Sequence, residues 1–359
     1  MNKTNSKRLL SLDVLRGITV AGMILVNNGY GESFSTLQHS EWNGMTPCDL
    51  VFPFFLFIMG VSTYLSLRKY NFQLSGAVAK KVFRRTVLIF LIGLGIHWFD
   101  MAIEGDFFPF ATIRIFAVLQ RIALCYCAAS FFALTVPHRY TIPAIVGLLA
   151  VYTVILLTGN GYACDETNIL GRVDRALFGE AHLYHKSPID PEGLLGTLPS
   201  IAHTLIGFYC GKRMMEARDV ASKVLSFLLV GAVLIILGYL LQYGLPLNKR
   251  IWSPSYVLMT CGLAASLQGI LMYSIDIRGH HRWTMPFQVF GVNPLFLYVL
   301  SELLAIIFGH LGINNAIYAA LHTVVAAPKW ASLAYALTFV AICFLAGWPL
   351  FRKRIYIKI

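Results

Sequence analysis

The chain has 359 residues, of which 57% are hydrophobic and 13% charged, and its net charge is +12. Soluble domains carry about 25% charged residues, so this composition excludes an ordinary water-soluble fold. The positive balance does not indicate nucleic-acid binding, because the basic residues gather in alternate loops between apolar runs, which is the pattern that orients a membrane protein.

Apolar runs of about 18–22 residues recur along the chain, and each is long enough to cross a hydrocarbon core about 30 Å thick. They predict an all-α, polytopic integral membrane protein with about ten transmembrane helices in one bundle. The expected helices cover 10–27, 50–67, 86–100, 113–136, 141–158, 197–211, 222–243, 254–275, 288–309 and 331–350. With no clear repeat, residues 1–359 read as a single domain. The even count puts both termini on one side. The loops and tails on that side hold the clear majority of the 29 lysines and arginines, which predicts cytoplasmic termini. No small-residue cleavage site follows the first apolar run, so no cleavable signal is expected. The loop bearing His39 and the long connection 159–196 then face away from the cytoplasm. Of the seven cysteines, Cys48 and Cys164 fall on that outer side, where a bridge between them is open.

The stretch from Asn27 to Gly60 carries the densest polar content between two spans: His39, Trp42, Asn43, the Pro47 turn and Asp49. Asp49 follows His39 by ten residues, at the mouth of the next helix. A chain return there brings the carboxylate to the imidazole, fixing its tautomer and raising its basicity. Imidazole suits acceptance of a proton or an acyl group near neutral pH; a lone loop histidine is otherwise solvated surface. Charges within a bilayer cost at least about 2.5–3.5 kcal/mol each and need a reason. Asp13 and Arg16 share a face of the first helix, as a neutralising pair or a polar anchor. Arg114 and Arg121, seven apart, read as two turns on one face of the fourth span beside Gln120, with Arg121 facing a polar cavity. Glu302 reads as an inter-helix hydrogen-bonding group or a further polar feature. The strip Lys80, Lys81, Arg84 and Arg85 meets anionic lipid or holds the phosphates of a cytoplasmic ligand. His182 and His185 do not make a convincing metal site, and no metal is expected.

Several stretches together resemble one family. RLLSLDVLRGITVAGMILVNN and HSEWNGMTPCDLVFPFFLFIMG open the match; RIFAVLQRIALCY, DPEGLLGTLPSIAHTLIGFYCG, LPLNKRIWSPSYVLMTCG and PFQVFGVNPLFLYVLSELL follow in order. The chain is thereby identified as similar to the heparan-α-glucosaminide N-acetyltransferase family of transmembrane acyltransferases, including its bacterial members. The resemblance implies transfer of an acetyl group from cytoplasmic acetyl-CoA to an amino sugar on the far side of the membrane. It implies His39 as the active histidine, Asn27 (with Asn28 beside it) as the asparagine ending the first helix, and Asp49 as the acidic residue. The match begins near residue 10, without the luminal domain of the lysosomal member, so a bacterial inner membrane is the expected location. Family members form dimers, which raises that expectation here.

Within this reading His39 accepts the acetyl group or acts as general base, and Asp49 orients it. Asn27, Asn43 or backbone N–H groups stabilise the oxyanion. Arg114, Gln120, Arg121, Lys81 and Arg84 are the expected acetyl-CoA contacts. Trp42, Asn43, Asp190 and Glu192 are the expected acceptor contacts, although Asp190 and Glu192 also read as the cap and first turn of the sixth helix. The rival reading is a membrane sugar transporter, against which no inverted repeat is visible.

Overall fold

A computed structural model of the chain describes residues 9–184 and 187–357. Among these residues thirteen α-helices form and no strand does. The protein is an all-α, polytopic integral membrane protein. Among the described residues, eight helices are long and apolar enough to cross a bilayer, or up to nine if a bent pair counts as one span. In that pair, α10 (Met285–Val292) and α11 (Pro294–His310) meet at 87°, with Asn293–Pro294 at the break. Proline lacks the N–H that would continue the helical ladder.

The difference from ten lies mainly in α7 (Thr197–Glu216). Its 20 residues span about 30 Å, long enough to cross. It fails on composition, because Thr197, Ser200, His203 and Thr204 are buried within the bundle and Lys212 and Arg213 lie near its end. Two other boundaries shift. The third helix, α3, runs from Gly76 to Ile103, so the basic strip lies on the same helix as the apolar run. The fourth, α4, begins only at Val118 and ends at Thr135, so Arg114 stands outside it.

The core is built on α1 (Leu10–Asn27), α2 (Val51–Leu67), α4, α7 and α9 (Pro254–Leu271). Lipid tails are as apolar as leucine, so these helices gain most by approaching closely. Glycines permit that at two crossings. A Cβ on Gly60 of α2 would lie 2.0 Å from the Thr204 carbonyl oxygen of α7, and one on Gly17 of α1 would lie 1.7 Å from that of Phe287 in α10. The Asp13–Arg16 pair forms at 2.9 Å, and Arg16 also donates to Ser62 Oγ of α2 and the Gly291 carbonyl of α10. It is therefore a polar anchor joining three helices. The exposed basic strip of α3 sits at one end of the bundle. The connections 28–46, 104–117, 159–196 and 242–253 gather at the other.

Candidate active site

Two of those connections knit together and set the site. The Gly44 N–H donates to the Leu247 carbonyl at 2.7 Å, and Asn248 Nδ2 donates to Asn43 Oδ1 at 3.1 Å. Gly44 has φ +118, a conformation closed to most side chains. Asn248 Oδ1 in turn accepts from the Ile251 N–H, and its own N–H donates to Ser253 Oγ. Trp42 Nε1 donates to the Tyr162 carbonyl at 2.9 Å, tying in a third connection. The Trp42 N–H and the Asn43 oxygen, from residues expected to contact the acceptor, thus go to the framework.

Asp49 lies in a short 3-10 turn, Pro47–Leu50, that leads into α2. Its carboxylate is fully buried and divides its work. Oδ2 accepts from the N–H of Ser40 (3.2 Å), the N–H of Thr46 (3.0 Å) and the Thr46 hydroxyl (3.1 Å). Oδ1 stands 2.8 Å from His39 Nδ1. An ionised carboxylate only accepts, so Nδ1 carries the hydrogen and the Nε2 lone pair is left free. The His39 side chain is 47% exposed, so this free nitrogen is accessible. The sulfur of buried Cys48 packs 3.0 Å from Nδ1. Cys48 and Cys164 are both free thiols.

A residue that spacing alone did not reveal completes the cluster. Lys249 Nζ lies 2.9 Å from His39 Nδ1, 3.2 Å from Nε2 and 3.5 Å from Asp49 Oδ1. It comes from 210 positions along the chain. It lies in the LPLNKRIW stretch of the family resemblance, which by itself assigns the lysine no partner.

Two cavities share His39 and Tyr184 as walls. The smaller, about 180 Å³, is also lined by Glu192, Lys249, Arg250 and Trp252. The larger, about 550 Å³, extends down between α1, α3, α4 and α11 to Gln120, Tyr298 and Glu302. Asn27 lines it and donates to Glu302 at 3.3 Å, whereas Asn28 is buried and donates to the Ile24 carbonyl. Asn27 is therefore the asparagine that faces the cavity. Gln120 is fully buried against Gly93, and neither amide atom has a partner among the described residues.

The remaining candidates fall elsewhere. Arg121 does not face the cavity: it is fully buried, donates to the Gly193 carbonyl at 3.0 Å and stacks over Trp252. Arg114 shares no helix face with it. Arg114 lines the larger cavity from the segment before α4 and binds Asp190 (2.6 Å) and Glu192 (2.8 Å). Asp190 is buried and also accepts from the Tyr184 and Glu192 N–H groups, so it holds the loop and is not open to an acceptor. Since α7 starts at Thr197, DPEG is a turn ahead of the helix and not its first turn. Burial pushes the Glu192 carboxyl up, but the charges of Arg114, Arg121 and Lys249 outweigh it and hold Glu192 below the usual range. Lys81 donates to the Tyr70 hydroxyl at the opposite end of α3. Arg84 precedes Gly93 by nine residues, about 14 Å along the helix. His182 Nδ1 meets the Ile113 carbonyl at 2.7 Å, while His185 lies outside the described residues. Among the described residues no group of His, Cys, Asp or Glu is arranged to hold a metal.

The sequence compares with known proteins over most of its length. A protein of Mus musculus named heparan-alpha-glucosaminide N-acetyltransferase is 29% identical over 365 residues, covering 84% of this chain and 54% of its own. Its Homo sapiens namesake is 29% identical over 358 residues, covering 82% and 53%. The chain thus spans about half the length of these curated relatives. The family described as heparan-alpha-glucosaminide N-acetyltransferase, catalytic, matches residues 8–245, ending just before Lys249. That match takes in the His39–Asp49 pair and well over half of the sequence, and the chain belongs to this family.

Proposed function

We propose that the protein is a transmembrane acetyltransferase that moves an acetyl group from cytoplasmic acetyl-CoA to a glucosamine-type amino sugar on the extracytoplasmic side. The observation that carries this reading is the position of His39, in the wall common to the two cavities and held by a buried carboxylate. The names of the relatives supply the acyl group and the acceptor class. The excess of basic residues at the α3 end supports the orientation.

The larger cavity receives the thioester arm, while Lys81 and Arg84 at the cytoplasmic end suit the phosphates of the nucleotide end. Gln120 and Asn27 offer amide groups along the way. His39 Nε2 attacks the thioester carbonyl carbon, the C–S bond breaks, and the CoA thiolate leaves and takes a proton from water. The acceptor amine, entering the smaller cavity, attacks the acetyl-imidazole. A C–N bond forms to the sugar, the bond to Nε2 breaks, and the amine proton passes through Nε2 to solvent. Asp49 stabilises the positive imidazole ring formed in both steps. Access to His39 from both cavities favours this two-step route over one in which His39 acts only as base.

Purified protein in nanodiscs, given radiolabelled acetyl-CoA without acceptor, tests the proposal. Label should appear on the wild type and not on His39→Ala, and added glucosamine should discharge it. Release of CoA only when glucosamine is present, with no labelled protein, replaces the two-step route by direct transfer. No turnover with any amino sugar sinks the acetyltransferase reading and leaves the sugar transporter in its place.

A further inference from the structure

We infer that Lys249 is a catalytic residue of this site, and that its ammonium holds the oxyanion formed when the acetyl carbonyl is attacked at His39. The inference rests on the reading of His39 as the acetyl carrier.

With the Nδ1 hydrogen directed to Asp49, the imidazole has one acceptor left, Nε2. Lys249 has only donors. Its Nζ, 2.9 Å from Nδ1, 3.2 Å from Nε2 and 3.5 Å from Asp49 Oδ1, is so nearly equidistant from the two ring nitrogens that it lies over the imidazole face, to one side of the in-plane Nε2 lone pair, and leaves that pair free. The ammonium thus stands beside the nitrogen that attacks. An incoming acetyl group takes the Nε2 lone pair. Its carbonyl oxygen is one bond beyond the attacked carbon, within hydrogen-bond reach of a donor so placed. As the C=O π pair moves to that oxygen, the negative charge develops against a cation already in position. No proton transfer is needed, and the pair returns to the carbonyl as the C–S bond breaks. The second attack, by the amine, rebuilds the same oxyanion and uses the same donor.

Three features support a built site. The Lys249 side chain is only 14% exposed, so water screens it weakly. The knit between Asn43–Gly44 and Leu247–Asn248 fixes the residue immediately before it. The side chains proposed from sequence are held by other partners: Asn27 donates to Glu302, and Asn43 is turned toward Asn248, from which its oxygen accepts. Among the described residues, Lys249 is the cation within hydrogen-bond distance of the His39 ring nitrogens.

The test compares wild type, Lys249→Met, Lys249→Arg and Lys249→Ala in nanodiscs, with acetyl transfer from acetyl-CoA to glucosamine as the readout. Losing one preorganised donor to an oxyanion lowers kcat by about 10²–10³-fold. Lys249→Met should show that loss in kcat, with KM for acetyl-CoA within about threefold. Lys249→Arg should recover at least about tenfold over Met, and added ethylammonium should partly restore Lys249→Ala. A merely structural lysine would not be replaced by a free cation. A wild type that transfers acetyl while Lys249→Met keeps its kcat overturns the role of the lysine alone. So does a loss confined to KM, or a failure of both arginine and ethylammonium to restore rate in a folded variant. A wild type that transfers no acetyl group overturns the function, and the role of Lys249 with it.

Discussion

Asp49→Asn changes almost no volume, yet the geometry predicts a large effect on rate. The carboxylate serves two sides. On the Oδ2 side, the backbone N–H groups of Ser40 and Thr46 are fixed donors at 3.2 and 3.0 Å. An asparagine has one oxygen, and turning its NH₂ toward those donors would leave two backbone groups unpaired. The amide therefore places its oxygen there and its NH₂ on the Oδ1 side, facing His39 Nδ1. That nitrogen must then accept, the ring hydrogen moves to Nε2, and the attacking lone pair is lost. A hydrogen bond to a charged group contributes about 1.5–3 kcal/mol, and each 1.36 kcal/mol is tenfold in rate. The lost bond alone lowers kcat by about 10–150-fold. Full reversal of the tautomer, with loss of the charge that stabilises the imidazolium, extends this to about 10⁴-fold.

The assay follows CoA thiol release during acetyl transfer to glucosamine, with the thermal midpoint measured in the same detergent. The midpoint should shift little, because Ser40 and Thr46 keep their acceptor. An Asp49→Asn protein with normal stability and kcat within threefold of wild type would refute the tautomer argument, since the Cys48 thiol beside Nδ1 is too weak an acceptor to hold the hydrogen in its place.

Two further substitutions separate structure from chemistry at the same end of the bundle. Arg114→Met strands the buried Asp190 carboxylate and should destabilise the fold by about 3–5 kcal/mol; a change confined to KM for acetyl-CoA would show instead that Arg114 binds substrate. Asp174, on α6 (Ile169–Phe178), is pushed up from 3.8 to about 6 by burial, despite accepting the Leu194 N–H. Below about pH 4 both folded and unfolded forms are protonated and Asp174 contributes nothing. Between about 4 and 6 the unfolded chain releases the proton first, so stability falls as pH rises, by up to about 3 kcal/mol above pH 6. Asp174→Asn should therefore raise the thermal midpoint at pH 8 and progressively less toward pH 4. An equal gain at pH 5 and pH 8 contradicts this.

The membrane class was legible because hydropathy runs and loop charge do not depend on how the helices pack. The His39–Asp49 relation was legible for a related reason: ten residues and a Pro47 turn are short-range geometry. What escaped was decided by tertiary contact. Arg114 and Arg121 looked like one helical face, but the helix starts between them, and Arg114 instead meets Asp190 and Glu192 more than 70 positions away. The polar content of α7 is low in hydropathy because it is spent inside the bundle, where His203 and Thr204 are fully buried. Lys249 was invisible as a partner of His39 because nothing in a separation of 210 positions sets that distance.

The site is assembled from loops in a protein whose stability lies in its helices. A charged triad of carboxylate, imidazole and ammonium is costly within hydrocarbon. Placed in the 3-10 turn at the mouth of α2, Asp49 is fully buried by protein while His39 remains half-exposed. The backbone N–H groups of Ser40 and Thr46, in the loop before the turn, satisfy the carboxylate, so its charge is held before any substrate arrives. The knit between the two loops then delivers Lys249 at hydrogen-bond distance without a helix having to carry a lysine through the membrane. The rigid crossings at Gly60 and Gly17 secure the helices beneath. A substitution there should therefore lower stability without altering the kcat of the protein that still folds, whereas one in the loop knit should alter kcat first.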